Sequence, residues 1–494
     1  MDIQKLPNEV IRHIFSHLPT SDLKALSLVC WELNDRATPL FLSRLAFWLG
    51  PEDLERLAAI AESARLKRHV TTLLIQDGVL QAGAPELAGF IWTFRLQHQP
   101  NFDPRRGIDC SVTTDEAFQN TTVADFPESA IPESLKQLGW TPERVFAAYK
   151  EHGQIIAEYN KFIHEKRDIE ILSVLLQRLT GVTELQLCNW SDTARKTMVD
   201  AIVRIRILEP NPLKNGRALA RFLQAAATAT IPSLSTIVLR EELFFEQLDD
   251  FGTLDPSVIE ASLPALRDLT SLVLPMRTDW SGFVRTRTRS GLADLRRENL
   301  AALLVSGLPH LRHLRIFTKE HKQHFALELS PIMDAISSDR LESIDLEFCI
   351  LTLDSVENFL RRHSKTLKTI RLNNVILIQA HFETLFTLVR DITQLEEMVI
   401  ASTLVEKSYR GTSYCADGCL ESEASQIKAR HEKARKEIAR FATRKTDRFP
   451  RELLDVDSSV VDDIYITETR TCLGVIGKSF VPETWDEEQE LEFF

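Results

Sequence analysis

Residues 341–372, LESIDLEFCILTLDSVENFLRRHSKTLKTIRL, read as strand, helix, strand. Leu341, Ile344 and Leu346 set the spacing L-x-x-L-x-L, and Leu367, Ile370 and Leu372 repeat it. Within each copy the last two aliphatics alternate at period two, which is a strand signal. Between the copies Val356, Phe359 and Leu360 fall three or four apart, as on one side of a helix spanning Asp354–His363. Working outward, the spacing recurs as Val182-Leu185-Leu187, Leu234-Ile237-Leu239, Leu269-Leu272-Leu274, Leu311-Leu314-Ile316 and Leu395-Met398-Ile400. Between final positions the intervals are 52, 35, 42, 30, 26 and 28 residues, so the last three lie near one period and the first near two. Val70-Leu73-Ile75 is a possible first copy, separated from the second by 112 residues. Further helical spacing occupies Asn215–Thr228, Leu292–Ser306, Ser330–Ser338 and Ala380–Arg390.

One strand and one helix per period cannot bury their own apolar faces, so such units stabilise one another in a row. The pattern resembles leucine-rich repeats. That resemblance implies an α/β fold, a curved solenoid with a parallel inner sheet and outer helices. The asparagine turn signature is mostly missing, with Asn189 and Asn373 the nearest candidates. If the repeat aliphatics face the core, period two sends their neighbours to the other face. That face then carries Thr236, Val238 and Arg240; His313, Arg315 and Phe317; Ser343, Asp345 and Glu347; Thr369, Arg371 and Asn373. Arg240, His313, Arg315 and Arg371 are the candidate client-binding residues, because guanidinium groups hold carboxylates or phosphates in bidentate pairs. The alternative is that the arginines solubilise the surface or pair with Asp345 and Glu347.

The first fifty residues form a separate unit of three helices. Pro7 suits a helix start, and Val10, Ile11, Ile14, Phe15 and Leu18 follow at helical spacing. Thr20, Ser21 and Asp22 offer an N-cap for a second helix with Leu23 and Leu26. A third is expected from about Ser27, carrying Leu28, Val29, Leu33 and Ala37 and stopping before Pro39. So small a unit buries little apolar surface by itself, so some of these side chains should face a partner.

The run Leu6-Pro7, Glu9-Val10, Ile14, Leu18-Pro19, Asp22-Leu23, Leu26, Leu28-Val29-Cys30 resembles the F-box motif over residues 4–45. Leu33 stands where an aromatic often follows the cysteine, with Trp31 displaced, and Leu40-Phe41 replace a later tryptophan. The resemblance implies docking onto the Skp-type adaptor of a cullin–RING ubiquitin ligase. The implied adaptor-binding residues are Leu6, Pro7, Ile14, Leu18, Leu23, Leu26, Leu28, Val29 and Cys30.

The expected domains are an F-box at 1–50 and a helical segment with a loop-rich insertion at 51–180. A repeat solenoid follows at 181–404, then a charged helix, turns and acidic tail at 405–494. Pro51 opens a helix over 51–67, residues 77–132 carry five prolines, and 101–120 read as an exposed loop. Two helices follow at Pro142–His164 and Ile169–Leu179. Glu421–Lys445 is a charged helix, Asp463–Thr467 a possible strand, and Glu483–Phe494 carries six acidic groups.

The chain has 494 residues, 44% hydrophobic and 26% charged, with net charge −12. That balance argues against nucleic acid as main partner, since phosphates require a basic surface. No secretory h-region and no apolar membrane-spanning run is present, and seven scattered cysteines fit reduced thiols in cytoplasm or nucleus. Cys415, Cys419 and His431 are a weak zinc possibility lacking a second close pair; His321 and His324 read as solvated. The basic run Arg285–Arg289 reads as a solvated loop, and Cys30 as a small buried hydrophobe. No nucleophile elbow, P-loop or dinucleotide fingerprint occurs, so no catalytic residues, cofactor or metal are expected. Three readings stand: a receptor joining adaptor, cullin and RING subunits to a protein client; a scaffold that binds the adaptor without delivering a client; and, with least support, an enzyme using the repeats as support.

Overall fold

The computed structural model describes residues 6–77, 115–125, 131, 136–137, 139–189, 218–239, 255–276, 300–318, 327–378, 381–400, 404–407 and 424–450. The chain divides into two compact units, Met1–Leu269 and Thr270–Phe494. The division falls within the run of repeats, whereas the sequence placed boundaries at 50, 180 and 404.

The first unit begins with α1 (Asn8–Ser16), α2 (Thr20–Ser27) and α3 (Trp31–Leu42). The third helix starts four residues later than expected and runs through Pro39. Its start is set by Cys30, whose extended backbone cannot continue a helix, and by the Asn34 N–H bonding the Cys30 carbonyl at 2.9 Å. Leu28 and Val29 therefore lie in the α2–α3 connection, and Cys30 is a half-buried cap residue, not a side chain on the helix face.

One residue after α3 comes β1 (Arg44–Trp48), a strand not anticipated from the sequence. Helices α4 (Pro51–Glu62) and α5 (Ala64–Lys67) divide at Ser63, whose hydroxyl caps α5 by accepting from the Leu66 N–H. Then come β2 (Thr72–Asp77), α6 (Asp115–Asn120), α7 (Pro142–His164), α8 (Arg167–Arg178), β3 (Glu184–Asn189), α9 (Ala218–Ala226), β4 (Thr236–Leu239) and α10 (Pro256–Ser262). Helix α6 replaces the end of the expected 101–120 loop: buried Phe118 packs edge-on against Tyr149 of α7. Strands β1 to β4 are parallel and neighbours in chain order. The helices repeat the order, with α8 packed on both α4 and α9, and α9 on α10.

The second unit holds β5 (Ser271–Met276), a helical stretch at 300–306, β6 (His313–Thr318), β7 (Leu327–Glu328), α11 (Ser330–Ala335), β8 (Ser343–Thr352), α12 (Leu353–His363), β9 (Thr369–Ile378), α13 (Phe382–Ile392), β10 (Glu397–Ile400), β11 (Leu404–Lys407) and α14 (Ala424–Ala442). Strands β5, β6, β8, β9 and β10 are parallel neighbours in that order. Strands β8 and β9 run ten residues, and their second halves pair with β7 and β11 respectively.

Register explains why the spacing predicts the core. In the first unit Leu73 lies beside Leu185, and Leu185 beside Ile237; Ile75, Leu187 and Leu239 form the next row. In the second, Leu272, Leu314, Ile344, Ile370 and Met398 align, as do Leu274, Ile316, Leu346, Leu372 and Ile400. All three aliphatics of all eight copies are buried. At about 1.5–3 kcal/mol per fully buried aliphatic side chain, these rows are the main stabilising contribution of each strand.

Two further sets of residues extend these rows. Leu42, Leu45 and Phe47 repeat the spacing, with Leu45 beside Leu73 and Phe47 beside Ile75. Three places beyond the last aliphatic, where the repeat pattern calls for Asn or Cys, Cys349 and Val375 lie in register and buried. Asn373 is not that turn residue; it sits within β9 beside Glu347.

Candidate functional site

The three-helix unit has its own core of Ile11, Phe15, Leu23, Leu33 and Ala37, with Leu6, Leu18, Leu26, Cys30, Leu40 and Phe41 packed around it. Of the nine residues singled out for an adaptor, Leu23 is therefore core and Leu6, Leu18, Leu26 and Cys30 are half-buried supports. The other four, Pro7, Ile14, Leu28 and Val29, are exposed. Leu28 is 86% exposed, Val29 69% and Trp31 71%; Val10 is the remaining exposed large apolar side chain of the unit. The sequence marks Val10 and Trp31 as helix and motif positions only. Exposure of a tryptophan beside a leucine and a valine is the signal that marks them.

Leu28 and Val29 stand on a fixed turn, Trp31 opens α3 and Val10 lies on α1. The Leu28 and Val29 N–H groups donate to the carbonyls of Ala25 and Leu26 at 3.1 Å each. The Asn34 amide donates to the Ser27 carbonyl at 2.9 Å, and Thr38 donates to the Asn34 side-chain oxygen at 2.9 Å. Arg65 of α5 also donates to Asn34 and pairs with Asp35 at 3.1 Å. Thus the turn that displays Leu28 and Val29 is tied through α3 to α5. Next to Trp31 a groove is lined by Arg12, Glu32, Asp35, Arg36 and Pro39.

The strand face of the second unit is different in kind. Arg315, Asp345 and Arg371 are register neighbours along one row, with Glu347 and Asn373 in the next. Arg315 pairs with Asp345 at 3.4 Å and with Glu347 at 3.0 Å, and its guanidinium lies 4.9 Å from the centre of the Phe317 ring. The Asn373 amide donates to the other Glu347 oxygen at 2.6 Å. Arg371 lies 3.9 Å from Glu397. Burial pushes the Asp345 carboxyl above its ordinary pKa, partly offset by Arg315 and Arg371. His313 is exposed on β6, while Phe317, expected on the open face, is buried. Arg240 lies outside the described residues, as do Arg285–Arg289, His321, His324, Cys415, Cys419 and the stretch 463–467.

Other titratable groups in the interior serve the fold. Buried Asp168 at the start of α8 meets Arg221 of α9 at 3.3 Å. His363 is buried beside Phe359, and burial together with Arg362 lowers its pKa to about 4, so it is neutral at physiological pH. Burial raises the Cys349 thiol far above the usual range, removing the thiolate a nucleophile requires. Among the described residues no group of three His, Cys, Asp or Glu could hold a metal ion. No helix among them is long and apolar enough to cross a membrane.

Residues 3–47 match the family model described as F-box-like. The match covers α1 to α3 and ends inside β1, so the chain carries an F-box-like domain whose last residues belong to the first strand of the parallel array. No curated protein matches the chain.

Proposed function

We propose that the chain is a non-catalytic substrate receptor of an SCF-type ubiquitin ligase. The F-box-like domain docks the Skp-type adaptor, and through it the cullin and RING subunits; the parallel strand–helix array, read as a leucine-rich-repeat solenoid, holds a protein client. Catalysis is then by proximity, raising client lysines to high effective concentration near the conjugating enzyme. This places the work in cytoplasm or nucleus.

The observation that carries the reading is the exposure of five large apolar side chains, Val10, Ile14, Leu28, Val29 and Trp31, on a domain matching the F-box-like model. The repeat reading is supported by eight aliphatic triads, most of them register-paired, and by Cys349 at the Asn/Cys position of the pattern. Replacing Leu28 and Val29 together by Asp should abolish co-purification of the adaptor and leave the unfolding temperature unchanged. Undiminished co-purification would overturn the assignment.

A second reading, an adaptor-binding scaffold that delivers no client, is favoured by one observation: Arg315 and Arg371 already have carboxylate partners.

A further inference from the structure

Helix α14 is firmly seated. Ala434, Ile438, Phe441 and Ala442 are buried against β10 and α13. Phe441 meets Phe449 edge-on at 5.4 Å, and Phe449 stacks on Phe386 of α13 at 6.4 Å. Arg390 of α13 donates to the Thr446 carbonyl at 3.0 Å and pairs with Asp447 at 2.7 Å. Arg444 returns a bond to the Arg390 carbonyl at 2.9 Å.

Its outward side is basic. Lys433, Lys436 and Arg440, at i, i+3 and i+7, form one exposed stripe, with Arg444 and Lys445 exposed just past the helix end. Residues 424–450 contain nine Lys or Arg against three Asp or Glu, within a chain of net charge −12. Two of those acids lie within the helix, Glu432 on Lys436 at 2.6 Å and Glu437 on Arg440 at 3.0 Å. The excess of six positive charges has its complement elsewhere in the same chain. Residues 483–494, ETWDEEQELEFF, contain six Asp or Glu and no Lys or Arg, interleaved with Trp485, Leu491, Phe493 and Phe494. Between residues 450 and 483 lie thirty-two residues. At about 3.3 Å each they reach on the order of 100 Å, against roughly 28 Å for the whole helix.

We propose that the acidic segment 483–494 docks in cis on the basic stripe of α14. This is independent of the adaptor reading and fails or stands without it.

The test uses a fluorescently labelled synthetic peptide of residues 483–494, titrated against the intact chain and against a chain ending at residue 482. A tethered tail competes at an effective concentration of order millimolar. The peptide should therefore bind the shortened chain and bind the intact chain at least tenfold more weakly. Lys433→Glu, Lys436→Glu and Arg440→Glu together should abolish peptide binding to the shortened chain, and the three Gln replacements should weaken it. Raising salt from about 50 to about 200 mM should also weaken it. Unchanged thermal unfolding of the variants excludes misfolding as the cause. Equal affinity for intact and shortened chains, no binding to the shortened chain, or binding indifferent to charge reversal would overturn the proposal. A dimer of the intact chain that disappears on shortening would also overturn it, by placing the tail on a second copy.

Discussion

Two surfaces of this protein present side chains that do nothing obvious for the fold, and they differ in what those side chains already touch. On the F-box-like domain Leu28 and Val29 project from a hydrogen-bonded turn, Trp31 opens α3, and all three are exposed. On the strand face of the second unit Arg315 is held by two carboxylates, one of them also held by Asn373. Exposed apolar surface is removed from water only by a partner. A charged side chain with its counter-charge in place has less to gain, because a ligand must first replace an interaction that exists. The apolar turn is therefore the better evidence for binding, although the arginines are chemically the more conspicuous.

The largest effect expected is within the domain that carries the turn. Leu23, 5% exposed, lies in the same small core as Ile11 and Phe15. Leu23→Ala should cost about 2–5 kcal/mol of stability, the range for a buried leucine. Urea denaturation of the full chain checks it. A cost below about 0.5 kcal/mol would erase the distinction between supporting and displayed leucines, since surface substitutions fall in that range.

The charged face supplies a smaller effect. Arg315 is partly exposed, so its pairs are screened and should be modest. Arg315→Ala should reduce stability by about 1 kcal/mol, and a double-mutant cycle with Glu347→Ala should return a coupling of roughly 0.5–1 kcal/mol. Zero coupling would mean the arginine is spare, returning it to the pool of client-binding candidates. Measurable coupling keeps it as part of the sheet.

What the sequence revealed and what it hid follow from the same physics. Repeat aliphatics such as Ile344 and Leu346 were legible because strand register forces one spacing on each rung. Strand β1 carries that spacing too, as Leu42-Leu45-Phe47, but it lies inside the F-box resemblance and ends on an aromatic, so the sequence alone groups it with the helical unit. This fusion also makes deletion of residues 1–45 a poor test of adaptor binding, because it would remove the start of β1 and uncover β2. The helix over Asp115–Asn120 was hidden because six residues carry too little periodicity; only tertiary packing of Phe118 on Tyr149 selects it. The sequence does not fix the pairing of Arg315, because alternation places a side chain on a face without choosing its neighbour there; the register of β6 against β8 makes that choice.

The smallest stability effect should accompany the most informative loss of binding. Leu28 and Leu23 are the same residue type five positions apart, one on the turn and one in the core. Leu28 at 86% exposure contributes almost no burial to the fold. Leu28→Ala should therefore shift stability by less than about 0.5 kcal/mol. If a partner buries that side chain, the interface loses much of the about 1.5–3 kcal/mol a buried leucine supplies. Every 1.4 kcal/mol is tenfold in affinity, so adaptor binding should weaken by roughly tenfold. Titration of the purified adaptor against both leucine variants at a temperature where Leu23→Ala remains folded separates the two roles. Leu23→Ala should then bind nearly as the native chain does. If instead Leu28→Ala binds normally and Leu23→Ala does not, binding depends on the packed core of the helical unit and not on the exposed turn, which then faces something other than the adaptor.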